Sequence, residues 1–191
     1  MTMRIALTGG IACGKSLLAK YLNQCGIETI DADDIVHELI PEDERRRLAA
    51  EVFRDPAKRK ELEARIHPIV RERLAAFAGR SDCAGGGEPS VGQIRVEIIP
   101  LLFECHWERE YDIILCVSSP RYLQVERMVS IRGYTKEQAE ARLAAQLPVE
   151  EKAALSDYVI VNDGSAENLN KEAIKLAEWL KGKCNDRRNR E

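Results

Sequence analysis

Residues 9–16 read Gly9-Gly10-Ile11-Ala12-Cys13-Gly14-Lys15-Ser16, which fits G-x-x-x-x-G-K-[ST], the pattern of a loop that cradles phosphates. Upstream, Met3-Arg4-Ile5-Ala6-Leu7-Thr8 is short and apolar, suited to a buried strand. Downstream, Leu17, Leu18, Tyr21, Leu22 and Cys25 recur at the spacing of one helix face. Strand, loop and helix thus stand in the order that phosphate binding needs. Glycine lets the backbone curl tightly and brings its N–H groups close to phosphate oxygens with no Cβ in the way. A helix opening near Lys15 adds unpaired N–H donors and the positive end of its dipole. Lys15 has the reach for the β- and γ-phosphates, and the Ser16 hydroxyl can complete a Mg²⁺ shell. A glycine turn that binds nothing is the plainer alternative, but the flanking strand and helix favour a nucleoside-triphosphate site.

Further along, Gly26 ends the first helix and Ile27-Glu28-Thr29-Ile30 reads as a second strand, followed at once by Asp31-Ala32-Asp33-Asp34. Carboxylates just past a strand lie where open α/β sheets place their ligands. A helix-capping role for Asp31 or Asp33 is equally compatible with the position. Pro41 opens a charged helical stretch to Phe53, and a second helical pattern over residues 57–78 puts Leu62, Ile66, Ile69, Val70, Leu74 and Phe77 on one face. Pro68 within it is expected to kink or split the helix beside His67. Residues 79–92 are rich in glycine and read as a loop.

The remaining strands are expected at residues 94–99, 112–117 and 158–161. The second of these is nearly all apolar, as a central parallel strand requires. Two helices meet at Gly133-Tyr134, the later one opened by a capping box at Thr135-Lys136-Glu137-Gln138. Asn162-Asp163-Gly164-Ser165 turns the chain into a last helix with Leu169, Ala173, Leu176 and Leu180 inward, and the tail from Lys183 is expected to fray. Strands alternating with helices indicate an α/β fold, a five-stranded parallel sheet flanked by helices.

Bulk properties narrow the setting. A chain of 191 residues with 45% hydrophobic and 32% charged residues is expected to be one domain, with room for an insertion. The net charge of −3 gives no reason to expect nucleic acid or an anionic membrane as partner. No apolar run approaches the ~18 residues of a membrane span. The chain opens straight into a strand, so no secretory signal is expected and a cytoplasmic location follows. The cysteines, at 13, 25, 83, 105, 116 and 184, include no C-x-x-C pair, which argues against a zinc or redox motif. Cys25 and Cys116 are expected to pack as small hydrophobes. Cys13, inside the phosphate loop, is expected to block nucleotide binding when a bulky thiol reagent modifies it.

Taken together, these motifs resemble the dephospho-CoA kinase family. They are the Leu-Thr-Gly-Gly-Ile loop of residues 7–16, the Gly-Ile-x-x-Ile-Asp-Ala-Asp of 26–33, and His67-Pro68. Further on come Pro100-Leu101-Leu102-Phe103-Glu104, Gln124 with Arg127, and Ser156-Asp157-Tyr158-Val159-Ile160 running on to Asn162 and Gly164. The similarity spans residues 3–180 and implies a P-loop kinase fold, like that of nucleoside-monophosphate kinases, with a helical acceptor-binding insertion and a helical lid. It implies transfer of the ATP γ-phosphoryl group to the ribose 3′-hydroxyl of dephospho-CoA, the last step of coenzyme A synthesis, with ATP and Mg²⁺ and a monomeric enzyme. The core then comprises residues 1–35, 92–120 and 155–191, the acceptor segment 36–91 and the lid 121–154.

The resemblance also implies site roles. Asp33 matches the general base, and Lys15, Arg127 and Arg132 the other catalytic positions. Thr8, Gly9, Gly10, Ile11, Ala12, Cys13, Gly14, Lys15, Ser16 and Leu17 hold the nucleotide, with Ser16 on the metal and Asn162 and Gly164 near the adenine. Asp33, His67, Arg71, Leu102 and Glu104 face the acceptor. Three departures stand out. The family's chain is usually some thirty residues longer after the Asp-Ala-Asp helix, so the acceptor segment is short. Ala12 and Cys13 replace Gly and Ser-like residues. Ile98 stands where many relatives have an acid, and the adjacent Glu97 points to the opposite face, so it is not assigned to magnesium. Two rivals remain at this point: another small-molecule or nucleotide kinase of the same fold, and a nucleotide-binding module without activity.

Overall fold

A computed structural model describes residues 3–42, 44, 48, 55–80 and 94–188. The helical stretch expected over 41–53, the loop expected over 79–92 and Cys83 lie for the most part outside the described residues. Five strands form one sheet: β1 Ile5–Gly9, β2 Glu28–Asp31, β3 Arg95–Ile98, β4 Ile113–Ser118 and β5 Tyr158–Val161. Among them run helices α1 Lys15–Gln24, α2 Ala32–Leu39, α3 Pro56–Ala78, α4 Arg121–Arg132, α5 Lys136–Ala144, α6 Val149–Ala154 and α7 Ala166–Arg188, with a 3₁₀ turn at Glu108–Glu110.

The strand order is β2-β3-β1-β4-β5 and every pairing is parallel. All strands therefore end on the same edge, and β1, which carries the phosphate loop, occupies the centre. Residues alternate across the sheet as a strand's two-residue period requires. Ile5, Leu7, Val96, Ile98, Leu115 and Val117 pack with Leu18 and Leu22 of α1 and with Leu169, Ala173, Leu176 and Leu180 of α7. On the other face Ala6 and Ile114 meet Ala32 and Ile35 of α2, Val70 and Leu74 of α3, and the Leu102-Phe103-Trp107 corner. Leu74 is fully buried, so its truncation to Ala costs about 2–5 kcal/mol.

Glu97 lies on the face opposite Ile98, as the alternation requires, and is 1% exposed. Arg4 holds its carboxylate from Nε at 3.1 Å and Nη2 at 2.7 Å, and the Tyr111 hydroxyl donates to it at 2.6 Å. This acid is committed to the fold.

Three expectations are corrected. Pro68 does not split its helix, because α3 runs unbroken from Pro56 to Ala78. Ala64, one turn earlier, and Pro68 itself are both on the exposed side, where water can satisfy the carbonyl that loses its amide partner. Ile69, expected to face inward, is 43% exposed. The tail from Lys183 is helical as far as Arg188. The capping box at Thr135 and Gln138 forms as its sequence indicates. Among the described residues no helix is long and apolar enough to cross a membrane.

Candidate active site

The loop after β1 is shaped by two close approaches. A Cβ on Gly9, whose φ is +142°, would sit 2.2 Å from the Val117 carbonyl oxygen of β4. At Gly14, with φ +97°, it would sit 2.4 Å from the Asn162 side-chain nitrogen. Ala12 adopts φ +58°, a left-handed conformation that costs a residue with a Cβ about 1–2 kcal/mol. Gly14 is the N-cap of α1, and its carbonyl accepts the first helical bond from the Leu18 amide.

A set of long-range hydrogen bonds braces the outer side of this loop. Asn162, just past β5, donates from Nδ2 to the Cys13 carbonyl at 2.8 Å. Arg127 of α4 donates to the Ala12 carbonyl at 3.2 Å, to Ser119 Oγ at 3.0 Å and to the Asn162 carbonyl at 3.0 Å. Ser119 Oγ in turn donates to the Asn162 carbonyl at 2.7 Å, and Gln124 Nε2 donates to the Ser119 carbonyl at 2.8 Å. The carbonyls of Ala12 and Cys13 are thus held by fixed donors on the outer side of the loop.

Inside the loop, Lys15 Nζ donates to the carbonyls of Gly9 at 3.0 Å and Gly10 at 2.9 Å. Burial pushes the Lys15 ammonium below its ordinary value; the Lys152 charge pushes the same way, while Asp33 and Asp31 oppose it. The two aspartates therefore stand within electrostatic reach of the lysine. Their roles separate. Asp31 is the cap of α2, its Oδ1 accepting the Asp33 amide at 2.9 Å, and burial pushes its carboxyl above the ordinary value. Asp33 is an exposed residue in the first turn of α2 and is not the N-cap.

A cleft of about 530 Å³ opens on this edge, lined by Lys15, Ser16, Asp31, Asp33, Arg127 and Arg132 among others. Ile11, Ala12, Gly14, Leu17, Asn162 and Gly164 also reach it. Gly9 and Gly10 serve it through the carbonyls that hold Lys15. Thr8 is fully buried, and its hydroxyl donates to the Pro100 carbonyl at 3.3 Å. Arg132, by contrast with Arg127, is exposed at the end of α4.

Several side chains expected at the site do not line this cleft. Cys13 is wholly buried in the core, and burial pushes its thiol up, so a bulky reagent has no access to it in the folded protein. Leu102 is 0% exposed and packs beneath α3, which leaves no side-chain surface for a substrate. His67 stacks edge-on against Trp107 at 5.0 Å, and Arg71 pairs with Glu110 and lies over the same ring. Both stand on α3, outside the cleft lining. Glu104 turns toward the return end of the 121–154 segment, accepting the Leu147 amide at 3.0 Å and Lys152 Nζ at 2.7 Å.

Sequence reasoning missed Ser119 and Lys152. A serine at the carboxyl end of a central strand was a usable signal for the first. Lys152, completely buried, leaves no local trace.

A central parallel strand, a glycine loop on a helix N-terminus, and a lysine, two aspartates and two arginines in one cleft define a P-loop kinase. The family model described as dephospho-CoA kinase matches residues 3–45 and 42–168, in two pieces that overlap just after α2. This chain belongs to the dephospho-CoA kinase family. A dephospho-CoA kinase of Wolinella succinogenes is 34% identical over 93% of this chain and 94% of its own, and one of Anaeromyxobacter dehalogenans is 38% identical over 93% and 92%. A solved Thermus thermophilus structure superposes with a TM-score of 0.74 at 33% identity, covering 92% of this chain and 97% of that one. The fold extends to shikimate kinase of Aquifex aeolicus, at a TM-score of 0.54 and 17% identity over 93% and 98% of the two chains.

Proposed function

We propose that this chain transfers the γ-phosphoryl group of ATP to the 3′-hydroxyl of the ribose of dephospho-CoA, releasing CoA and ADP and completing coenzyme A synthesis. The observation that carries the reading is the joint presence of Lys15, Asp33 and Arg132 on one cleft at the carboxyl edge of the sheet, in a member of this family. The triphosphate lies on the loop amides and the N-terminus of α1, with Lys15 leaving its loop carbonyls for the β- and γ-phosphates. Asp33 takes the proton from the 3′-hydroxyl as the new O–P bond forms, and the electron pair of the broken bond leaves with ADP. Asp31, spent on its helix, holds Asp33 in place.

Phosphoryl transfer runs through a loose transition state, so positioning and charge neutralisation outweigh proton removal. Arg132 is the residue free to meet that charge. Arg127 acts chiefly as the brace of the loop. Hard oxygen donors on Ser16, Asp31 and Asp33 line the cleft, while no group of three or more His, Cys, Asp or Glu forms a cage among the described residues. Those donors fit a Mg²⁺ shared with the triphosphate, with Ser16 as its protein ligand, where the ion would neutralise charge on the phosphate oxygens.

Residues 36–91 supply the acceptor side, with His67 and Arg71 presented from α3, and residues 121–154 form the lid that excludes water. The chain is read as acting as a monomer. Incubation with labelled ATP and a panel of acceptors tests the reading. Label is expected on dephospho-CoA and not on nucleoside monophosphates or shikimate; label on another acceptor alone would overturn it.

A further inference from the structure

The segment from 121 to 154 is attached to the core at both ends by different means. At its start, Ser119, Gln124 and Arg127 tie α4 to the phosphate loop through the bonds described above. At its return, α6 is set into the core: Val149 packs in the main apolar cluster and Lys152 is 0% exposed. Lys152 Nζ reaches Glu104 Oε1 at 2.7 Å and donates to the Pro100 carbonyl at 2.8 Å. Glu104 Oε1 also accepts the Leu147 amide, while Glu104 Oε2 is buried without a hydrogen-bond partner. Pro100 is itself a wall of the cleft, and its carbonyl also takes the Thr8 hydroxyl at the end of β1. One ion pair, its lysine fully buried and its glutamate half-buried, therefore joins the strand that carries the phosphate loop, the Pro100 wall, and the end of the segment that carries Arg132.

Between these two roots the attachments thin out. Residues 129–133 and 135–138 are exposed, Gly133 caps α4 at φ +69°, and the side-chain ties across the turn include the exposed pair Arg121–Glu140 and Arg142 over the Tyr134 ring, with Met128 and Ala139 buried beneath. An exposed ion pair of this kind contributes little. Removing one partner of a pair whose lysine is fully buried strands a charge and is strongly destabilising. Stiffness is thus concentrated at the roots and compliance at the turn around Gly133.

We infer that Lys152 and Glu104 are positioning residues of the reaction: they fix the return root at 146–154 and the Pro100 wall, so that closure is confined to residues 129–145 and Arg132 swings on a set radius over the phosphates. The inference rests on the phosphoryl-transfer reading above. The pair touches no substrate; it acts through Pro100, Leu147 and the loop that Thr8 precedes.

The full-length Lys152→Met variant, which keeps the volume and removes the charge, is tested beside the double variant Glu104→Leu/Lys152→Met. Replacing a buried pair by apolar residues of similar size is often neutral or stabilising, so the double variant keeps the test open if the single one unfolds. A misplacement of ~1 Å can cost ~10²-fold in rate. In the folded variant, kcat for transfer is expected to fall ten- to hundredfold with KM for ATP within about threefold, and the share of ATP lost to water is expected to rise severalfold. A folded variant with wild-type kcat and wild-type hydrolysis share overturns the inference.

Hydrogen exchange on the wild-type protein, read without substrate, separates this from failure of the functional reading. The Leu147 amide is expected to be protected, exchanging much more slowly than the amides of 133–135, and the double variant is expected to lose that protection. Equal exchange at both places in the wild type would show that no fixed root exists.

Discussion

Arg127→Met separates bracing from catalysis at the phosphate loop. The wild-type guanidinium makes three bonds of 3.0–3.2 Å to Ala12, Ser119 and Asn162. Hydrogen bonds from a charged donor contribute about 1.5–3 kcal/mol each. The three are not additive, because Ala12 and Asn162 border an open cleft and can be rehydrated, and Ser119 Oγ keeps its own bond to the Asn162 carbonyl. A total loss of about 2–3 kcal/mol follows. For a chain of this size 1 kcal/mol moves Tm by about 2–4 °C, so Tm is expected to fall by roughly 4–12 °C. Any part of that loss used to order the loop for phosphate appears as affinity, at a tenfold change per ~1.4 kcal/mol. Calorimetry with a non-hydrolysable ATP analogue is therefore expected to show binding weakened about ten- to hundredfold, with KM for ATP rising alongside. A variant with wild-type Tm and wild-type analogue affinity, but transfer slowed a thousandfold, would refute the bracing role and make Arg127 a transition-state contact.

The reverse signature is expected at Arg132: Arg132→Met should cut kcat by ~10³-fold or more while KM for ATP barely moves, measured by steady-state ADP release. Asp33→Asn should cost ~10²–10⁴-fold, with unchanged melting because Asp31 does the capping; full turnover in this variant would remove Asp33 from the chemistry. Cys13 and Cys116 are buried, and burial pushes the Cys116 thiol up to about 11, so at pH 8 both should resist a disulfide reagent in the native protein and react only on unfolding, as peptide mapping would record. Burial lowers the Lys15 pKa below the 10.5 of an unfolded chain; between those values the unfolded state binds more protons, so stability should rise with pH across that window. The difference in Tm between wild type and Lys15→Met, followed against pH, isolates this contribution, and a wild type that loses stability relative to the variant as pH rises would contradict it.

The parts of the fold written in short-range pattern were legible in the sequence. The loop at 9–16, the strand at 158–161 and the capping box at 135–138 depend on residues within a few positions of one another, and each formed as its pattern dictates. Glu97 also followed from the two-residue period of its strand. What stayed hidden depends on distant chain segments. The brace joins Cys13 to Asn162 across 149 positions and Ala12 to Arg127 across 115, and nothing in local spacing reports that Arg127 spends its donors on carbonyls. Cys13 illustrates the same limit: loop membership is local, but whether its sulfur faces ligand or core is settled by the turn of the backbone at Ala12 and the approach of β4. Pro68 defeats a local reading because its cost depends on which side of the helix meets water.

The central claim is that the γ-phosphoryl group of ATP is delivered to one sugar hydroxyl of dephospho-CoA. Phosphorus NMR of a reaction containing the purified chain, ATP, Mg²⁺ and dephospho-CoA tests this directly. A new 3′-phosphomonoester signal is expected to grow in step with ADP, one for one. ADP appearing with free inorganic phosphate and no monoester, or no change in either, would contradict it.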